Sequence, residues 1–242
     1  MKPITIGTFI KNELNKLNID YLNFNSSRST IIKERFITNN KQLLRVDTES
    51  IVTPDFDFDI LKIFIERNNI NKIIVSDYNK GLISNNLWEF LCSLNIPLFV
   101  DVKKSDIHFY KNTFLIKMNR NEFKQFYGKL IDFNNQDELN LAIEFFKSKT
   151  NCNNIVITLD RDGSILYTND TFYRCNKYIK DVVDVSGAGD TFLTVISNYS
   201  DNLVFAHELA NKAASIVVSK SGTYPISKFE LFDENDIVSR IN

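Results

Sequence analysis

Glycine, proline, cysteine and histidine are all scarce in this sequence. Its 242 residues include 7 glycines, 4 prolines, 3 cysteines and 2 histidines. The cysteines, Cys92, Cys152 and Cys175, are isolated from one another, so the sequence indicates neither a disulfide framework nor a zinc site. The histidines, His108 and His207, also stand alone, which leaves little material for a histidine-based catalytic triad.

Long apolar runs and an excess of one charge are absent as well. No apolar run is long enough to cross a bilayer and no secretory signal is recognisable, so we expect a cytoplasmic protein. Lysine and arginine number 29 and aspartate and glutamate 30, which gives a formal net charge of −1 and no general attraction to nucleic acids or anionic membranes. The hydrophobic content of 43% supports a substantial core, and the length predicts one domain over residues 1–242.

The first part of the chain is predicted to contain a helix and a hairpin. Hydrophobic spacing predicts a short amphipathic helix over residues 9–18. Residues 30–38 and 42–48 are predicted to pair as a hairpin that turns at Asn39-Asn40, because asparagine tolerates the positive φ of a tight turn. Adjacent apolar pairs in this hairpin predict that both its faces are partly covered, by a substrate or by a second subunit. A plain edge hairpin is the alternative.

From residue 60 onward, helices and strands alternate. The predicted helices cover residues 60–65, 87–94 and 139–146, and the predicted strands cover residues 72–75, 97–100, 113–116, 154–158, 164–168 and 171–174. This alternation is typical of a doubly wound, mostly parallel α/β sheet, in which ligands bind at the carboxyl ends of the strands. Polar residues follow the strands at that edge: Asp77 with Lys80, Asp101 with Lys103, Asn119 with Glu122, Thr158, and the turn at Gly187. We therefore expect one site there.

The most informative stretch is Asp-Val-Ser-Gly-Ala-Gly-Asp-Thr-Phe at residues 184–192, which is predicted to be a turn that leads into a helix. Two of the 7 glycines flank Ala188, so backbone N–H groups face a ligand without obstruction, and a helix N-terminus favours an anion. Asp190 would repel that anion unless it accepts a proton from a hydroxyl that attacks a phosphoryl group. The alternative is an ordinary helix start with an aspartate in its first turn.

This stretch resembles the C-terminal signature of the ribokinase-like (PfkB) carbohydrate kinases. The resemblance implies an ATP-dependent sugar kinase in which Gly187, Ala188 and Gly189 form the anion hole and Asp190 is the catalytic base. It extends over about residues 4–227 and implies a nucleotide-binding half at about residues 113–227.

Asn119-Arg120-Asn121-Glu122 follows a predicted strand and has the spacing of a helix capping box. The family carries an Asn-x-x-Glu motif at this place. The resemblance therefore implies that Asn119 and Glu122 act on Mg²⁺ through its water shell near the nucleotide phosphates, and oxygen ligands on a site that keeps its waters suit this ion. The two roles are compatible, since Glu122 can fill both.

Three further segments match nucleotide-binding positions of the family. Thr158 and Gly163 match the ends of a Thr-x-Gly-x-x-Gly segment in which Asp160 replaces the first glycine. Asn211 matches a helix residue beside the adenine, and Gly222 lies in the loop that follows this helix. The helix itself is also predicted, on its apolar content alone, to be part of the core.

Within the family, two segments and the hairpin are similar to the heptose 7-phosphate kinases of the bacterial ADP-heptose pathway. The segments are Ser-Asp-Tyr-x-Lys-Gly at residues 76–81 and Asp-x-Lys at residues 101–103, where Val102 replaces a proline. The hairpin, at about residues 28–50, corresponds to the lid of those enzymes, and such lids meet across a homodimer. This similarity implies the tentative substrate residues Asp77, Lys80, Asp101, Lys103 and Arg45. Either lysine is able to hold a sugar phosphate as a point charge, and ordinary surface ion pairs are the alternative.

The first elements of the family have no counterpart in this sequence. Family members begin with a strand that ends in Gly-Asp, followed by a Gly-Gly-x-x-x-Asn segment, and both contribute to sugar binding. We therefore expect an N-terminally truncated ribokinase-like fold. The leading hypothesis is an ATP-dependent kinase that phosphorylates heptose 7-phosphate at C1, and another sugar or nucleoside kinase of the same family is an alternative. A further alternative is a catalytically incomplete nucleotide-binding or oligomerising subunit, for which a partner supplies the missing elements.

Overall fold

The computed structural model describes residues 6–24, 29–38, 41–49, 51–176 and 181–232. These residues fall into two compact units. The first unit is drawn from residues 1–70 and 79–90, and the second unit from residues 71–78 and 91–242. The expected single domain over residues 1–242 stays a prediction.

The first unit contains the predicted helix and hairpin. Its elements are α1 (Ile6–Lys16), β1 (Ile32–Thr38), β2 (Lys41–Thr48), α2 (Phe58–Arg67) and most of α3 (Asn85–Ser93). Strands β1 and β2 pair antiparallel with Phe36 opposite Leu44, and the register shifts between Phe36 and Ile37. The hairpin is therefore confirmed, whereas its predicted turn at Asn39-Asn40 lies outside the described residues.

Helix α2 begins where its sequence offers a cap. The side chain of Asp57 accepts a hydrogen bond of 3.0 Å from the N–H of Ile60, which satisfies one of the donors that a helix start leaves open. The ring of Phe58 stacks on that of Phe90 with centroids 4.9 Å apart, so an aromatic contact joins α2 to α3.

The second unit contains a six-stranded sheet. Its strands are β3 (Ile73–Ser76), β4 (Leu98–Asp101), β5 (Leu115–Asn119), β6 (Asn154–Thr158), β7 (Ser164–Thr168) and β8 (Thr171–Cys175), and they are adjacent in that order. Strands β3 to β6 pair in parallel and the last two pairings are antiparallel. The predicted mostly parallel sheet is confirmed, and the last two predicted strands, β7 and β8, pair with each other.

Five α-helices accompany this sheet among the described residues of the second unit: α4 (Arg120–Tyr127), α5 (Gln136–Thr150), α6 (Ala188–Asn198), α7 (Leu203–Val218) and α8 (Lys228–Leu231). Short 3₁₀ turns occupy Ile107–Tyr110, Asp160–Asp162 and Ser200–Asn202. In the described part of the chain, none of the helices has the length and apolarity needed to span a membrane.

The core of the second unit fixes the position of α6. Strands β4 and β5 are apolar and almost fully buried, as expected for the centre of a parallel sheet. One cluster joins the sheet to α6 and α7 through Phe99, Leu115, Val156, Leu166, Phe192, Leu193, Ile196, Ala206, Ala210 and Ala213. Each large apolar side chain buried in this way contributes about 1.5–3 kcal/mol to the free energy of folding. The N-terminus of α6 is thus held by packing along the rest of the helix.

The carboxyl ends of the parallel strands lie side by side. Ser76 is paired in register with Asp101, Asp101 with Lys117, and Asn119 with Thr158. The polar residues that follow the strands in the sequence are therefore brought to one edge of the sheet.

Candidate active site

The turn before α6 has the backbone that its glycines predict. Gly187 adopts φ 81°, a left-handed conformation that glycine enters without steric cost. The carboxylate of Asp184 accepts hydrogen bonds from the N–H of Ser186 (2.9 Å) and from the N–H of Gly222 (3.1 Å). Two segments that the sequence singled out separately, the turn and the loop at Gly222, are thus joined by one side chain.

In the first turn of α6, the N–H of Ala188 donates to the carbonyl of Val185 over 3.3 Å. The N–H of Thr191 donates to the carbonyl of Gly187 over 2.9 Å, which closes the first helical hydrogen bond. The N–H groups of Gly189 and Asp190 precede it and have no carbonyl partner within α6. They lie at the positive end of the helix dipole, which favours an anion. The predicted anion hole itself stays a prediction.

Both carboxylate oxygens of Asp190 accept hydrogen bonds from residues at the end of β3. The hydroxyl of Ser76 donates to Oδ1 over 2.7 Å, and the hydroxyl of Tyr78 donates to Oδ2 over 2.8 Å. Partial burial of Tyr78, the hydrogen bond to Asp190 and the charge of that carboxylate together raise the pKa of Tyr78. The candidate base is therefore held in one orientation by two neutral hydroxyl groups.

Asp77 lies between those two residues and is buried. Its Oδ2 accepts a hydrogen bond of 2.9 Å from the hydroxyl of Tyr110 and lies 3.8 Å from Nζ of Lys104. The Tyr110 oxygen in turn accepts from the N–H groups of Lys103 (2.9 Å) and Lys104 (2.8 Å), and burial of this phenol raises its pKa. Asp77, a predicted substrate residue, thus ties the end of β3 to the segment that follows β4.

A buried ion pair lies next to the glycine turn. Nζ of Lys117 is 2.9 Å from Oδ2 of Asp101, and both side chains are less than a tenth exposed. A Cβ atom added to Gly189 would lie 3.1 Å from that Nζ and 3.6 Å from that carboxylate oxygen. Glycine at position 189 therefore lets the turn approach a buried positive charge.

Lys103 connects two of the predicted site carboxylates. Its Nζ makes a close ion pair with Glu122 and lies 3.5 Å from Oδ1 of Asp101. Burial acts to lower the pKa of Lys103, but the charges of Asp101 and Glu122 and the hydrogen bond to Glu122 outweigh it and raise that pKa. Lys103 is therefore held as a cation at this edge of the sheet.

The capping box predicted at Asn119 is confirmed. Oδ1 of Asn119 accepts from the N–H groups of Asn121 and Glu122, both at 2.9 Å, and Oε2 of Glu122 accepts from the N–H of Asn119 at 2.8 Å. These two side chains fix the start of α4 beside the ends of β5 and β6.

Among the described residues, no group of three or more histidine, cysteine, aspartate or glutamate side chains is arranged to hold a metal ion. The oxygens of Asn119 and Glu122 are occupied by backbone N–H groups and by Lys103. Magnesium that acts through its own water shell stays a prediction, and no step proposed below depends on it.

The loop after β6 takes its shape without the expected glycine. Asp160 adopts φ 54°, a left-handed conformation that aspartate tolerates better than most residues, and Gly163 adopts φ 82°. Arg120, at the start of α4, holds this loop: its guanidinium lies 2.7 Å from Asp162 and 3.9 Å from Asp160. Thr158 ends β6 beside this loop, with its hydroxyl 3.5 Å from the carbonyl of Met118.

Asn211 is engaged in a buried polar cluster of the second unit. Its Oδ1 accepts from the hydroxyl of Ser164 at 2.9 Å, and its Nδ2 donates to the carbonyl of His207 at 2.7 Å. The hydroxyl of Ser164 also lies 2.6 Å from Nε2 of His207. These contacts give Asn211 a structural role inside α7, and its predicted contact with the nucleotide stays a prediction.

Two predicted substrate residues, Arg45 and Lys80, belong to the first unit. Nζ of Lys80 lies 2.5 Å from the carboxylate of Glu49, which is also 3.1 Å from Nζ of Lys33. The guanidinium of Arg45 lies 2.9 Å from Asp47. The distinctive charged residues of the hairpin therefore pair with one another and with the segment at residues 79–81 of the same unit.

Several residues of the site were not singled out from the sequence. Ser76 and Tyr78 belong to the segment at residues 76–81 that was singled out as a whole, and Lys117 lies just beyond the strand predicted at residues 113–116. The spacing of Ser76 and Tyr78 could have indicated that they act together, because residues two apart at the end of a strand face the same side. The signal for Lys117 is a lysine within the apolar run Leu115–Asn119 of a buried strand, where a charge needs a partner.

Comparisons with known proteins find relatives over most of the chain. Residues 5–228 match the family described as pfkB family carbohydrate kinase. The chain is 30% identical over 228 residues to "Bifunctional protein HldE" of Campylobacter curvus, and 33% identical over 218 residues to the protein of that name from Geotalea uraniireducens. The matches cover 90% and 86% of this chain but 48% and 44% of the two relatives, so the chain spans about half their length.

Solved structures share the fold. A ribokinase from Giardia lamblia superposes with a TM-score of 0.73 at 16% identity, over 98% of this chain and 80% of that one. Phosphofructokinase-2 from Escherichia coli, in complex with substrates and products, gives a TM-score of 0.74 at 13% identity, over 97% of this chain and 79% of that one. At these identities the likeness establishes the architecture alone.

Proposed function

The chain belongs to the pfkB family of carbohydrate kinases, and on this premise we propose that it transfers the γ-phosphoryl group of ATP to a sugar hydroxyl. The observation that carries the proposal is the position of Asp190, in the first turn of α6 and next to the amides at the start of that helix. A proton acceptor and an anion-binding helix terminus are thus adjacent. This is the pair of groups that phosphoryl transfer to a hydroxyl requires.

In the proposed reaction, Asp190 takes the proton of the attacking hydroxyl. The sugar O–H bond breaks while a bond forms between that oxygen and the γ-phosphorus, and the bond from phosphorus to the oxygen of ADP breaks. Each Asp190 oxygen carries two lone pairs and accepts one described hydroxyl hydrogen bond, so acceptor capacity remains for the substrate.

The charge on the transferring group needs stabilisation by fixed donors. The amides of Gly189 and Asp190 and the dipole of α6 supply part of it. The ammonium group of Lys117 lies next to Gly189 and is paired with Asp101. Because it is buried, water screens its charge only weakly, so it adds to the stabilisation of the transferring group. Gly187 and Ala188 complete the anion hole that the resemblance implies.

For the substrate we propose a sugar phosphate, with heptose 7-phosphate as the leading candidate. The support is the similarity to the two HldE proteins, together with the segments at residues 76–81 and 101–103. Of the two lysines implied for the sugar phosphate, Lys103 lies in the second unit with Asp190, and its raised pKa keeps it charged. Lys80 is held by Glu49 in the first unit.

We further propose that the hairpin meets a second copy of the chain. Phe36 and Leu44 pair across β1 and β2 and Val46 lies on the same face, yet the three side chains are 51%, 55% and 40% exposed. Such a face gains free energy when a partner covers it. Sedimentation of the variant Phe36→Lys/Leu44→Lys tests this, because loss of a dimer supports the proposal and an unchanged mass contradicts it.

The test of the kinase proposal is ATP turnover by the purified chain with a panel of sugars and sugar phosphates that includes heptose 7-phosphate. Turnover stimulated by one sugar, and lost by orders of magnitude in Asp190→Asn with ATP binding retained, supports the proposal and identifies the substrate. If no sugar stimulates ATP turnover while ATP still binds, the result contradicts the kinase proposal and favours a nucleotide-binding subunit. If Asp190→Asn turns over ATP as fast as the parent protein does, Asp190 is not the catalytic base.

A further inference from the structure

We infer that Ser76 and Tyr78 are positioning residues that hold Asp190 in the orientation needed to receive the substrate proton. This inference rests on the proposed function, because it assigns the two hydroxyls a role through Asp190. The supporting geometry is the pair of hydrogen bonds, 2.7 Å to Oδ1 and 2.8 Å to Oδ2, from residues 114 and 112 positions away in the sequence.

The two bonds together restrict the carboxylate more than either does alone. Rotation of the Asp190 carboxylate about its last side-chain bond moves both oxygens at once, so it breaks both hydrogen bonds. The carbonyl of Asp190 is also an acceptor, for the hydroxyl of Thr194 at 2.8 Å, within α6. Backbone and side chain of the candidate base are therefore both fixed before a substrate arrives, which is the condition for a short-range proton transfer.

The hydroxyl donors are themselves anchored. Ser76 ends β3 and Tyr78 follows two residues later, so their side chains reach the same side, whereas Asp77 between them is buried against Tyr110. The oxygen of Tyr110 also receives the N–H groups of Lys103 and Lys104. Asp77 thus fixes the end of β3 through Tyr110, while the side chains of Ser76 and Tyr78 contact Asp190.

Tyr78 as a residue is 55% exposed, although its hydroxyl donates a hydrogen bond to Asp190. Core packing therefore does not explain why Tyr78 lies with its hydroxyl against a carboxylate. Serine and tyrosine donate without adding charge, so they orient Asp190 and leave it able to attract a proton. A lysine or arginine in their place would stabilise the carboxylate and oppose that step.

Kinetics of four variants test this inference: Ser76→Ala, Tyr78→Phe, the double variant, and the control Tyr224→Phe. Tyr224 is a matched control because its hydroxyl also donates to a carboxylate, that of Glu230, at 2.8 Å. Loss of orientation lowers kcat by about 10- to 100-fold in the double variant with KM for ATP unchanged, and the control keeps the activity of the parent. A kcat within twofold of the parent in the double variant, or an equal loss in the control, overturns the inference.

A measurement without turnover separates this inference from the kinase proposal. In protein labelled with ¹³C at the tyrosine ζ carbon, the phenol of Tyr78 is assigned by its loss in Tyr78→Phe and titrated in the parent and in Asp190→Asn. Burial, the Asp190 hydrogen bond and the Asp190 charge raise the pKa of Tyr78, with Asp101 adding to them, so removal of the Asp190 charge lowers it. The Tyr224 signal stays constant as the internal control.

The turnover assay and the Tyr78 titration test the kinase proposal and the positioning contact separately. If the chain turns over no sugar but the Tyr78 titration moves in Asp190→Asn, the kinase proposal fails and the contact that positions Asp190 stands. If the titration of Tyr78 is the same in both proteins, the contact is absent and the inference is overturned whatever the kinetics.

Discussion

Nζ of Lys117 lies 2.9 Å from Oδ2 of Asp101, and this buried pair is in contact distance of the position where a side chain at Gly189 would begin. The pair therefore links the centre of the sheet, at β4 and β5, to the first turn of α6. A lysine in the middle of a buried sheet is costly to desolvate unless its charge is paired. Its place beside the turn that is proposed to bind the phosphoryl group would give that cost a functional explanation.

Removal of the Lys117 charge will destabilise the fold more than removal of both charges. Lys117→Met keeps the length of the side chain but leaves Asp101 buried with Lys103 as its remaining described cation, so we expect a loss of about 3 kcal/mol in the free energy of unfolding. The double variant Lys117→Met/Asp101→Asn should lose less than the sum of the single losses. Urea unfolding of the four proteins measures this, and strict additivity would show that the pair is not coupled.

Gly189→Ala should impair activity with little effect on stability. A Cβ atom at this position lies 3.1 Å from Nζ of Lys117, which forces the turn or the lysine to move by a few tenths of an ångström. The higher helix propensity of alanine offsets about 1 kcal/mol of that strain, so the expected change in unfolding free energy is small. We expect kcat to fall by about tenfold, because displaced amides stabilise the transferring phosphoryl group less well.

Gly128→Ala is the matched control for that variant. Gly128 ends α4 with φ 86° and has open space around the position of a Cβ atom. Alanine there is strained by about 1–2 kcal/mol but touches no site residue. The unfolding free energy should fall while kcat is retained, which is the opposite of the Gly189→Ala result. If both variants lose stability and activity together, the contact of Gly189 with Lys117 is not what matters.

Asn119→Ala should weaken both the fold and the binding of nucleotide. The variant removes a cap that accepts two N–H groups, at a cost of about 1–2 kcal/mol. If the amide of Asn119 also acts near the nucleotide phosphates, as the resemblance implies, KM for ATP rises. Asn135→Ala is the control, since Asn135 caps α5 in the same way through the N–H groups of Asp137 and Glu138. An equal rise in KM for ATP in the control would leave Asn119 with a capping role alone.

The sequence predicted the elements of the fold well because its apolar periodicity is local information. The strand at residues 154–158 was predicted with the bounds that the structure has. The strands predicted at residues 72–75 and 97–100 were displaced by one residue, and the strand predicted at residues 113–116 lies at residues 115–119. The alternation of strands and helices predicted that most of them pair in parallel, and the pairing of β3 to β6 agrees. The same rule brought Asp101, Asn119 and Thr158 to one edge, as the register confirms.

The contacts of the site were less predictable because they join distant parts of the chain. Nothing in the spacing of Ser76 and Tyr78 indicates that their hydroxyls meet Asp190, and nothing near Lys117 names Asp101 as its partner. Asp77 was predicted to touch the substrate, whereas its described contacts are with Tyr110 and Lys104. Alternation along a strand decides which side a residue faces, but the packing of another element decides what it meets there.

The stability of the protein should fall as the pH drops from about 6.5 toward 4, and His207 should account for much of the change. Burial lowers the pKa of His207 from 6.5 to about 4, and its Nε2 lies 2.6 Å from the hydroxyl of Ser164. In the unfolded chain this histidine binds a proton at a higher pH than in the folded protein. Its neutral form therefore supports the fold fully above about pH 6.5, and the support is lost as protonation of the unfolded state becomes favourable.

The expected size of this effect is about 3 kcal/mol between pH 6.5 and pH 4, from a pKa difference of about 2.5 units. Urea unfolding at several pH values measures it, and His207→Gln should flatten the dependence over this range even if the variant is less stable throughout. His108→Gln is the control for the substitution itself, because His108 is an exposed histidine. If His207→Gln keeps the slope of the parent protein, the buried imidazole is not the group that the acid titrates.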